Sequence, residues 1–485
     1  MSLPTTACEI RAAIASGKVS AAEVCRDALA RIRNTDRPLS AFLHVDEAGA
    51  LARAEQLDRE RPASAPLLGV PIALKDNICT AGIPTTAGSR VLEHYVPPYS
   101  AFVVEQLERA GAVIVGKTNC DEFAMGSSTE HSAFGPTRNP WDLERIPGGS
   151  SGGSAVAVAA AMVPLALGSE TGGSIRQPAA LCGVLGLKPT YGRVSRFGLI
   201  AFGSSLDQIG PFARTAADMA ALLQAIAGQD ARDSTSAADP VPDYAARLDG
   251  DLSGLRIGVP RALLTSGVEA DVRARFDEGL LALESAGATL VDVTLPHAPL
   301  AIPVYYLVAN AEASSNLARF DGVRYGTRAD DSSLSSMYYK TRGRFGAEVK
   351  RRIMIGTFVL SAGYYDAYYV KAQKVRALIR KDYDEAFTTV DAVAVPTAPT
   401  AAFKLGERID DPLQMYLSDV FTAAANLAGL PAISVPCGLT GDRLPAGLQL
   451  TGRPFDEALL LRAAHAVQQQ IAMPGPMRPR DSGSL

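Results

Sequence analysis

Two glycine- and serine-rich runs near the middle of the chain contain the residue types that acyl-transfer chemistry needs. The first is Pro147-Gly-Gly-Ser-Ser-Gly-Gly-Ser154 and the second is Gly168-Ser-Glu-Thr-Gly-Gly-Ser174. A serine hydroxyl supplies a nucleophile or a proton relay, and glycines leave backbone N–H groups open to hold a developing oxyanion. The helix and strand predicted between the runs are short, so we expect the outer loops to share one pocket. Two unrelated tight turns would explain either run alone, but not both together.

A serine nucleophile needs a base, and Lys75 is the candidate. A free lysine, with a pKa of about 10.4, is neutral in only about one molecule in 2,500 at pH 7. Lys75 follows the apolar run Val70–Leu74, and burial at the end of such a strand lowers a lysine pKa toward a usable range. A strand-end lysine paired with Asp76 or Asp121 is the alternative, and only the serine runs favour the base.

Two further patterns match known motifs in spacing, but the sequence around each lacks the features that the motif requires. Gly111–Thr118 has the spacing GxxxxGK[ST] of a phosphate-binding loop, yet its variable positions are Ala, Val, Ile and Val, which favour a buried strand. Gly148–Gly152 has the spacing GxSxG of a nucleophile elbow, which requires a later histidine base and an acid. Only His297 and His465 follow it, and the five histidines have no metal-ligand spacing. We therefore predict neither a nucleotide site nor a metal site.

Short β-branched runs alternate with helical patterns over most of the chain, which is typical of an α/β protein whose sheet carries helices on both faces. We predict strands at Val70–Leu74, Ala112–Val115, Pro164–Leu167, Leu255–Val259, Ala288–Leu295, Ala392–Val395, Ala432–Val435 and Gly447–Leu450. We predict helices at Ala21–Arg33, Phe102–Ala110, Gly152–Met162, Ala216–Ala227, Asp271–Ser285, Glu348–Tyr383, Leu413–Ala428 and Glu457–Gln470. Ser20 and Glu23 form a capping box that begins the first of these helices.

The domain organisation follows from the same patterns. No Gly/Ser-rich or Pro-rich run has the composition of an interdomain linker. We predict an N-terminal helical segment, residues 1–60, packed on a main domain of residues 61–471. Within that domain, residues 303–387 are predicted as a helical insertion, and residues 472–485 as a flexible tail.

The composition limits the classes of protein to which the chain can belong. Of its 485 residues 47% are hydrophobic and 20% charged, which suits a large core and excludes global disorder. The net charge of −4 argues against a stand-alone nucleic-acid binder. No apolar run has the length of a bilayer span, and no secretory signal is visible. The six cysteines form no CxxC, as expected for reduced thiols in a cytoplasmic protein.

Three separated elements of the chain resemble the amidase signature family. Gly148–Ser154 and Thr171–Pro178 match the central motif of that family, and Ala73–Asn77 matches its upstream lysine element. The resemblance covers nearly the whole chain. It implies the amidase signature fold, which is a single large mixed sheet covered by helices on both faces, with an added helical segment.

The resemblance also implies the chemistry of a Ser–Ser–Lys triad. In it Ser174 is the nucleophile, Ser150 is the proton relay and Lys75 is the base. The family further implies a cis peptide bond at Ser150. The oxyanion hole would consist of the N–H groups of Thr171, Gly172, Gly173 and Ser174.

Within the family, the chain is most similar to the glutaminase subunits of glutamyl-tRNA(Gln)/aspartyl-tRNA(Asn) amidotransferases. The runs that carry this resemblance are Asp121–Gly126, Leu187–Ser195, Ser204–Pro211, Glu312–Arg319, Glu348–Ile353, Ser361–Tyr369 and Asn426–Pro431. Two residues depart from the pattern. Glu170 stands where Asp is usual, which keeps the charge but changes the turn, and His131 stands where a small polar residue is common, which affects local loop structure only.

The charges of glutamine define the pocket that such a glutaminase needs. Its α-carboxylate requires a guanidinium and its α-ammonium group requires a carboxylate. The resemblance implies that these are Arg352 and Asp419, and that the pocket also includes Gly126 and either Tyr305 or Tyr306.

Helical geometry agrees with the choice of Arg352. The inner face of its helix carries Val349, Ile353 and Gly356, so Arg352 borders that face while Arg351 points outward. A solvated basic run at Lys350–Arg352 is the alternative from the residues alone.

The function that the resemblance implies is glutamine hydrolysis through a glutamyl-serine ester. The ammonia would pass to a partner, the B subunit of the amidotransferase, which uses ATP and Mg²⁺ to activate mischarged Glu-tRNA(Gln), Asp-tRNA(Asn) or both. A small C subunit would complete a heterotrimer. We expect no cofactor in this chain, contact with tRNA mainly through the B subunit, and no contact with a membrane.

Two alternatives belong to other classes of protein. A free-standing amidase acting on another carboxamide would keep Lys75, Ser150 and Ser174 without needing Arg352 and Asp419 together. A non-catalytic scaffold protein would be expected to have lost one of the three catalytic residues, and none is lost.

Overall fold

The computed structural model describes residues 3–62, 64–324 and 326–474. The strands within these ranges are β1 Phe42–Val45, β2 Pro71–Lys75, β3 Val113–Thr118, β4 Leu165–Glu170, β5 Leu185–Lys188, β6 Gln208–Ala213, β7 Arg256–Val259, β8 Thr289–Asp292, β9 Ala392–Pro396, β10 Ala432–Leu439 and β11 Pro445–Gly452. All eleven join one sheet in the order β1-β3-β2-β4-β6-β5-β10-β11-β9-β7-β8. β2 runs parallel to β3 and β4, and β7 runs parallel to β8 and β9, whereas the other neighbours are antiparallel. The predicted single mixed sheet is confirmed.

Helices pack on both faces of this sheet, as predicted. They are α1 Ala7–Ala15, α2 Ala21–Leu39, α3 Glu47–Glu60, α4 Phe102–Arg109, α5 Gly152–Ala159, α6 Arg176–Cys182, α7 Ala216–Ile226, α8 Ala270–Ser285, α9 Ala301–Asn316, α10 Leu334–Arg342, α11 Ala347–Val359, α12 Lys371–Ala386, α13 Pro412–Tyr416, α14 Ala423–Leu427 and α15 Glu457–Gln470. Side chains alternate across a strand. On β2, Ile72 and Leu74 therefore join the apolar cluster of α4 and α7, while Ala73 joins that of α2 and α5.

All eight predicted strands are present, and three further strands were missed. The missed strands are β1, β5 and β6. Leu185-Gly-Leu-Lys188 is short, and Gln208-Ile-Gly-Pro-Phe-Ala213 contains both glycine and proline, which are depleted in strands. Each of the three is held by pairing with neighbours in the sheet, which no local pattern reports.

The predicted helix Ala21–Arg33 continues to Leu39 as α2, and the predicted helix Gly152–Met162 already ends at Ala159 as α5. Two other predicted helices are divided. The predicted helix Glu348–Tyr383 is divided into α11 and α12, because the chain turns at Gly363, which has a φ of 84°. A wide π-helical turn at Asp366–Val370 then leads into α12. The predicted helix Leu413–Ala428 is likewise divided into α13, a 3-10 turn at Leu417–Asp419 and α14.

The N-terminal segment is joined to the main sheet. Residues of α1, α2 and α3 lie within the predicted segment 1–60, and β1 from the same segment pairs with β3 at the sheet edge. Helices α9, α11 and α12 contribute to a second apolar cluster that includes Val308, Val349 and Ile379. The predicted domain boundaries stay predictions. Most of the predicted tail 472–485 lies outside the described residues.

Three other expectations concern local features. The run Gly111–Thr118 contains the whole of β3, Val113–Thr118. Its Lys117 is buried and donates to the Ile78 carbonyl oxygen and to Thr85, so the run is not a phosphate-binding loop. All six cysteines are free, and five of them are buried. Among the described helices, none combines the length and apolar character needed to cross a membrane.

Candidate active site

Lys75 and Glu170 lie at the carboxyl ends of two neighbouring parallel strands, β2 and β4. Loops that follow such strands meet at the same edge of a sheet. After β4 the chain forms the loop Thr171–Ser174 before α6, and the run Pro147–Ser151 enters α5, which precedes β4. This connectivity brings both glycine-serine runs to the end of β2 that carries Lys75.

Lys75 is completely buried, and its amine contacts the first serine run directly. Nζ donates to Ser150 Oγ at 2.7 Å and to the Ser169 carbonyl oxygen at 3.1 Å. Burial lowers the pKa of Lys75 to about 8, even though neighbouring acids act in the opposite direction. The alternative partner Asp76 instead lies 3.6 Å from Lys117. Lys75 can therefore give and take a proton near neutral pH.

The two candidate serines lie on adjoining loops that are joined through the backbone. Ser150 is fully buried and follows a cis peptide bond with Gly149, as the family resemblance implied. Ser174 is 7% exposed, and its carbonyl oxygen accepts the Ser151 N–H at 3.2 Å. Within the described part of the chain Ser174 Oγ has no hydrogen-bond partner, so the relay from Ser174 to Ser150 stays a prediction.

The loop between β4 and α6 presents consecutive backbone donors. Among the described residues, the N–H groups of Thr171–Ser174 have no protein acceptor. The next two N–H groups, of Ile175 and Arg176, donate to the Glu170 carboxylate at 2.9 and 3.0 Å. The Thr171 hydroxyl donates to Asp207 at 2.7 Å. The loop is thus held at both ends while its donors stay open, which is the arrangement that stabilises an oxyanion.

Two residues predicted for substrate binding lie directly against this loop. A Cβ atom on Gly172 would lie 2.6 Å from Tyr305 Cζ, and one on Gly173 would lie 2.3 Å from Asp419 Oδ1. Both separations are shorter than any that a side chain tolerates, so these positions require glycine. Tyr305 and Asp419 therefore border the loop that carries the open N–H groups.

Asp419 lies on the 3-10 turn Leu417–Asp419 and is almost entirely buried. Its Oδ2 accepts the Ser127 hydroxyl at 2.7 Å, whereas the Thr422 hydroxyl is 3.5 Å from Oδ1. Burial raises the pKa of Asp419 to about 6, so the group is still a carboxylate at pH 7. One oxygen of this carboxylate is free of a short hydrogen bond and suits an ammonium ligand.

Arg352 lies on the inner side of α11, and the predicted helical phase is confirmed. Its side chain is 3% exposed, against 40% for Arg351. Nε donates to Glu348 Oε1 at 2.7 Å. Three aromatic rings surround the guanidinium at 5.2 to 5.6 Å, those of Phe202, Tyr306 and Tyr416. Within the described chain its terminal nitrogens form no hydrogen bond, which leaves them open to a carboxylate.

Gly126, the remaining predicted binding residue, packs directly against the side chain of Asp121. A Cβ atom there would lie 2.4 Å from Asp121 Cγ. The Asp121 carboxylate accepts the N–H groups of Thr129 and His131 at 2.9 and 3.0 Å, so it organises the loop that follows Ser127. His131 takes part in this loop through its backbone. Contact between Gly126 and a substrate stays a prediction.

Sequence reasoning missed three polar residues of this region, namely Ser127, Gln177 and Glu348. Gln177 joins the loops, since its Oε1 accepts the Gly149 N–H at 3.0 Å and its Nε2 donates to the Ser127 carbonyl oxygen at 2.9 Å. Gln177 and Glu348 lie inside runs that resemble the family, and Ser127 directly follows one. Their position in or beside these runs was the only signal in the sequence, because no spacing pattern distinguishes these three residues from other polar residues.

The two histidines that follow the GxSxG run have partners elsewhere in the fold. His297 is hydrogen-bonded to Asp382 at 2.7 Å and His465 to Gln469 at 3.0 Å, while Ser150 has Lys75 as its partner. The nucleophile-elbow interpretation therefore has no histidine base. Among the described residues, no group of three or more His, Cys, Asp or Glu side chains is arranged to hold a metal ion.

Comparison with known proteins assigns the chain to a family. The amidase family model matches residues 23–461. The chain is 59% identical over 461 residues to the A subunit of glutamyl-tRNA(Gln) amidotransferase from Chloroflexus aggregans, covering 94% of each chain. It is 60% identical over 470 residues to the corresponding protein of Myxococcus xanthus, covering 96% of this chain and 97% of that protein.

The fold supports the same assignment. The crystal structure of the glutamyl-tRNA(Gln) amidotransferase A subunit from Thermotoga maritima superposes with a TM-score of 0.81 at 46% identity, covering 95% of both chains. The buried lysine, the two serine loops and the single mixed sheet thus occur in a chain that matches the family over most of its length. The chain belongs to the amidase signature family.

Proposed function

We propose that this chain is the glutaminase component of a tRNA-dependent amidotransferase. The proposal rests on one observation: residues that can cleave an amide and residues that can bind the charges of glutamine lie around the same loop, Thr171–Ser174. Lys75, Ser150 and Ser174 provide amide-cleaving chemistry, and Asp419 borders the same loop, with Arg352 close to the tyrosines beside it. The names of the curated relatives support the same function.

In the proposed reaction, neutral Lys75 accepts the Ser150 proton while Ser150 accepts that of Ser174. Ser174 Oγ then attacks the side-chain amide carbon of glutamine, and the N–H groups of Thr171–Ser174 stabilise the oxyanion. Collapse breaks the C–N bond, and the proton returns through Ser150 to the leaving nitrogen, which departs as ammonia. Water, deprotonated by the same groups, cleaves the glutamyl ester and releases glutamate.

Glutamine is proposed to bind by its two α-substituents. Its α-carboxylate would accept from the terminal nitrogens of Arg352, and its α-ammonium group would donate to Asp419. Tyr305 and Gly126 would line the space between these contacts and the oxyanion loop. A pocket with both charges selects a free amino acid amide over a simple carboxamide.

The assembly and destination of the ammonia are part of the proposal. We propose a heterotrimer with the B and C subunits of the amidotransferase, in which the B subunit uses ATP and Mg²⁺, binds most of the mischarged tRNA, and receives the ammonia. This chain itself needs no cofactor in that scheme. The amide acceptor would be Glu-tRNA(Gln), Asp-tRNA(Asn) or both, and the complex would act in the cytoplasm.

The test is a glutaminase assay on the chain alone and on the complex with its co-purified partners, combined with covalent labelling by a glutamine-like electrophile. We expect the wild type to release glutamate and to be labelled at Ser174. Ser174→Ala should lose both properties at an unchanged melting temperature. Labelling that moves to Ser150 would contradict the assigned roles, and a complex that hydrolyses simple amides but not glutamine would favour a free-standing amidase.

A further inference from the structure

Glu348 lies one helical turn before Arg352 on α11 and connects three side chains. Its carboxylate is almost entirely buried, and Oε1 accepts both Arg352 Nε at 2.7 Å and the Tyr416 hydroxyl at 2.8 Å. Oε2 accepts Arg351. A buried carboxylate with both oxygens hydrogen-bonded holds its partners in one geometry.

The contact with Arg352 decides which edge of the guanidinium is open. A guanidinium is planar and presents its donors in a fixed fork. Because Glu348 occupies Nε, the plane is set and the two terminal nitrogens are the donors that remain. An arginine without this contact would sample other rotamers, and its fork would face the ligand carboxylate only part of the time.

The contact with Tyr416 extends the arrangement toward the reacting centre. The ring of Tyr416 stacks on Tyr306 at 3.8 Å, and Tyr306 packs edge-on against Tyr305 at 5.0 Å. Tyr305 in turn lies against Gly172 of the oxyanion loop. A continuous set of contacts therefore joins Glu348 to the loop that would bind the amide.

We infer that Glu348 is a positioning residue for glutamine recognition, which fixes the Arg352 guanidinium and the Tyr416 ring so that the terminal nitrogens of Arg352 meet the α-carboxylate. This inference rests on the proposed function, because it assigns the α-carboxylate to Arg352. Glu348 does not touch the substrate, and its charge would repel the α-carboxylate if Arg352 did not stand between them.

The experiment compares steady-state kinetics of the assembled complex with glutamine and with a small neutral amide. Glu348→Gln keeps the shape of the side chain but removes its charge, and it should raise the KM for glutamine about tenfold with little change in kcat. Hydrolysis of the neutral amide should stay within about twofold, because Ser174 and its donors are untouched. Lys350→Ala, which removes an exposed side chain of the same helix that is bonded to the Gly343 carbonyl oxygen, should leave both reactions within about twofold.

A second comparison separates positioning from a general loss of structure. In an Arg352→Ala background, Glu348→Gln should lower the KM for glutamine, because it removes a buried carboxylate that no longer has its arginine. The sign of the effect thus reverses between the two backgrounds. Tyr416→Phe, which keeps the ring and loses one hydrogen bond, should raise the KM by less than Glu348→Gln.

Two results would overturn the inference. One is an equal rise in KM for glutamine in both backgrounds, and the other is an equal loss of kcat/KM for glutamine and the neutral amide, which would show that Glu348 only stabilises the fold. If the wild-type complex hydrolyses no glutamine, the proposed function itself fails. If it does and the Glu348 variants behave as wild type, only the inference about Glu348 fails.

Discussion

Lys75 is the last residue of strand β2, and the burial that comes with this position lowers the pKa of its amine enough for it to act as a base. We predict that kcat/KM for glutamine rises as pH increases toward about 8 and levels off above it, because only neutral Lys75 accepts the serine proton and burial lowers its pKa to about 8. Lys75→Arg should be inactive at every pH, since an arginine stays charged. The pH dependence of kcat/KM between pH 5.5 and 9.5 checks this, and a profile without an alkaline rise would mean that another group is the base.

The carboxylate at Asp419 should add a separate dependence at acidic pH. Burial raises its pKa to about 6, so the protonated form becomes dominant below that value and cannot pair with the α-ammonium group. We predict that the KM for glutamine increases as pH falls through about 6. The KM of a small neutral amide serves as the control and should not show this increase. Equal changes for the two substrates would show that Asp419 does not bind the ammonium group.

Charge recognition at Arg352 is testable by matched substitutions on α11. Arg352→Ala should raise the KM for glutamine about ten- to a hundredfold, because the α-carboxylate loses a charge-assisted pair. Lys350→Ala is a suitable control, since Lys350 is exposed and its side chain donates to the Gly343 carbonyl oxygen. Arg351 is a less independent control, because it shares Glu348 with Arg352. Equal effects of the Lys350 and Arg352 substitutions would show that Arg352 does not bind the α-carboxylate.

At the scale of elements, the loop between β4 and α6 has room only for glycine at its centre. Gly173→Ala should reduce kcat about a hundredfold or more, because the new methyl group would lie 2.3 Å from Asp419 Oδ1 and displace an oxyanion donor. Turnover of the neutral amide should fall with that of glutamine, in contrast to the Arg352 variant. A normal kcat for Gly173→Ala would show that this loop does not hold the oxyanion.

The same loop depends on a buried ion pair. Glu170 and Arg176 are both fully buried and form an ion pair. The Glu170 carboxylate also accepts the backbone N–H groups of Ile175 and Arg176. Glu170→Gln leaves the guanidinium without its carboxylate and should lower the free energy of unfolding by about 3–5 kcal/mol. Urea unfolding measures this loss. A change below about 1 kcal/mol would mean that the other partners of Arg176, Gln449 and Asn426, suffice.

At the scale of the whole molecule, the first 60 residues supply an edge strand of the sheet that carries the site and cover part of one face of that sheet. β1 pairs with β3, and α2 and α3 cover the face of β2 and β3 that holds Ala73, Val113 and Val115. We predict that a chain beginning at residue 61 forms no soluble, cooperatively unfolding protein, because this apolar face would be exposed. Solubility and a thermal unfolding scan test it. A shortened chain that unfolds cooperatively and hydrolyses glutamine would show that residues 61–471 fold alone.

The sequence by itself indicated the candidate chemistry and most of the strands. The two glycine-serine runs and the lysine after an apolar strand are local features that need no knowledge of distant contacts, whereas the separate roles of Lys75, Ser150 and Ser174 came from the resemblance to the family and stay predictions. The eight predicted strands were found for the same reason, since β-branched runs report burial along a short stretch. The helical phase of Arg351 and Arg352 was also local, because it follows from the positions of their apolar neighbours on one helix.

Only the tertiary structure decided which residues complete the site. Ser127 donates to Asp419 across 292 positions of sequence, and Tyr416 reaches Glu348 across 68. The strands β1, β5 and β6 belong to the same class, because pairing with neighbouring strands, and not the local residues, determines them. Periodicity and composition describe what a segment can bury, whereas the order of strands in the sheet decides which segments meet. That order is a property of the whole chain, since it depends on the packing of all eleven strands and their helices at once.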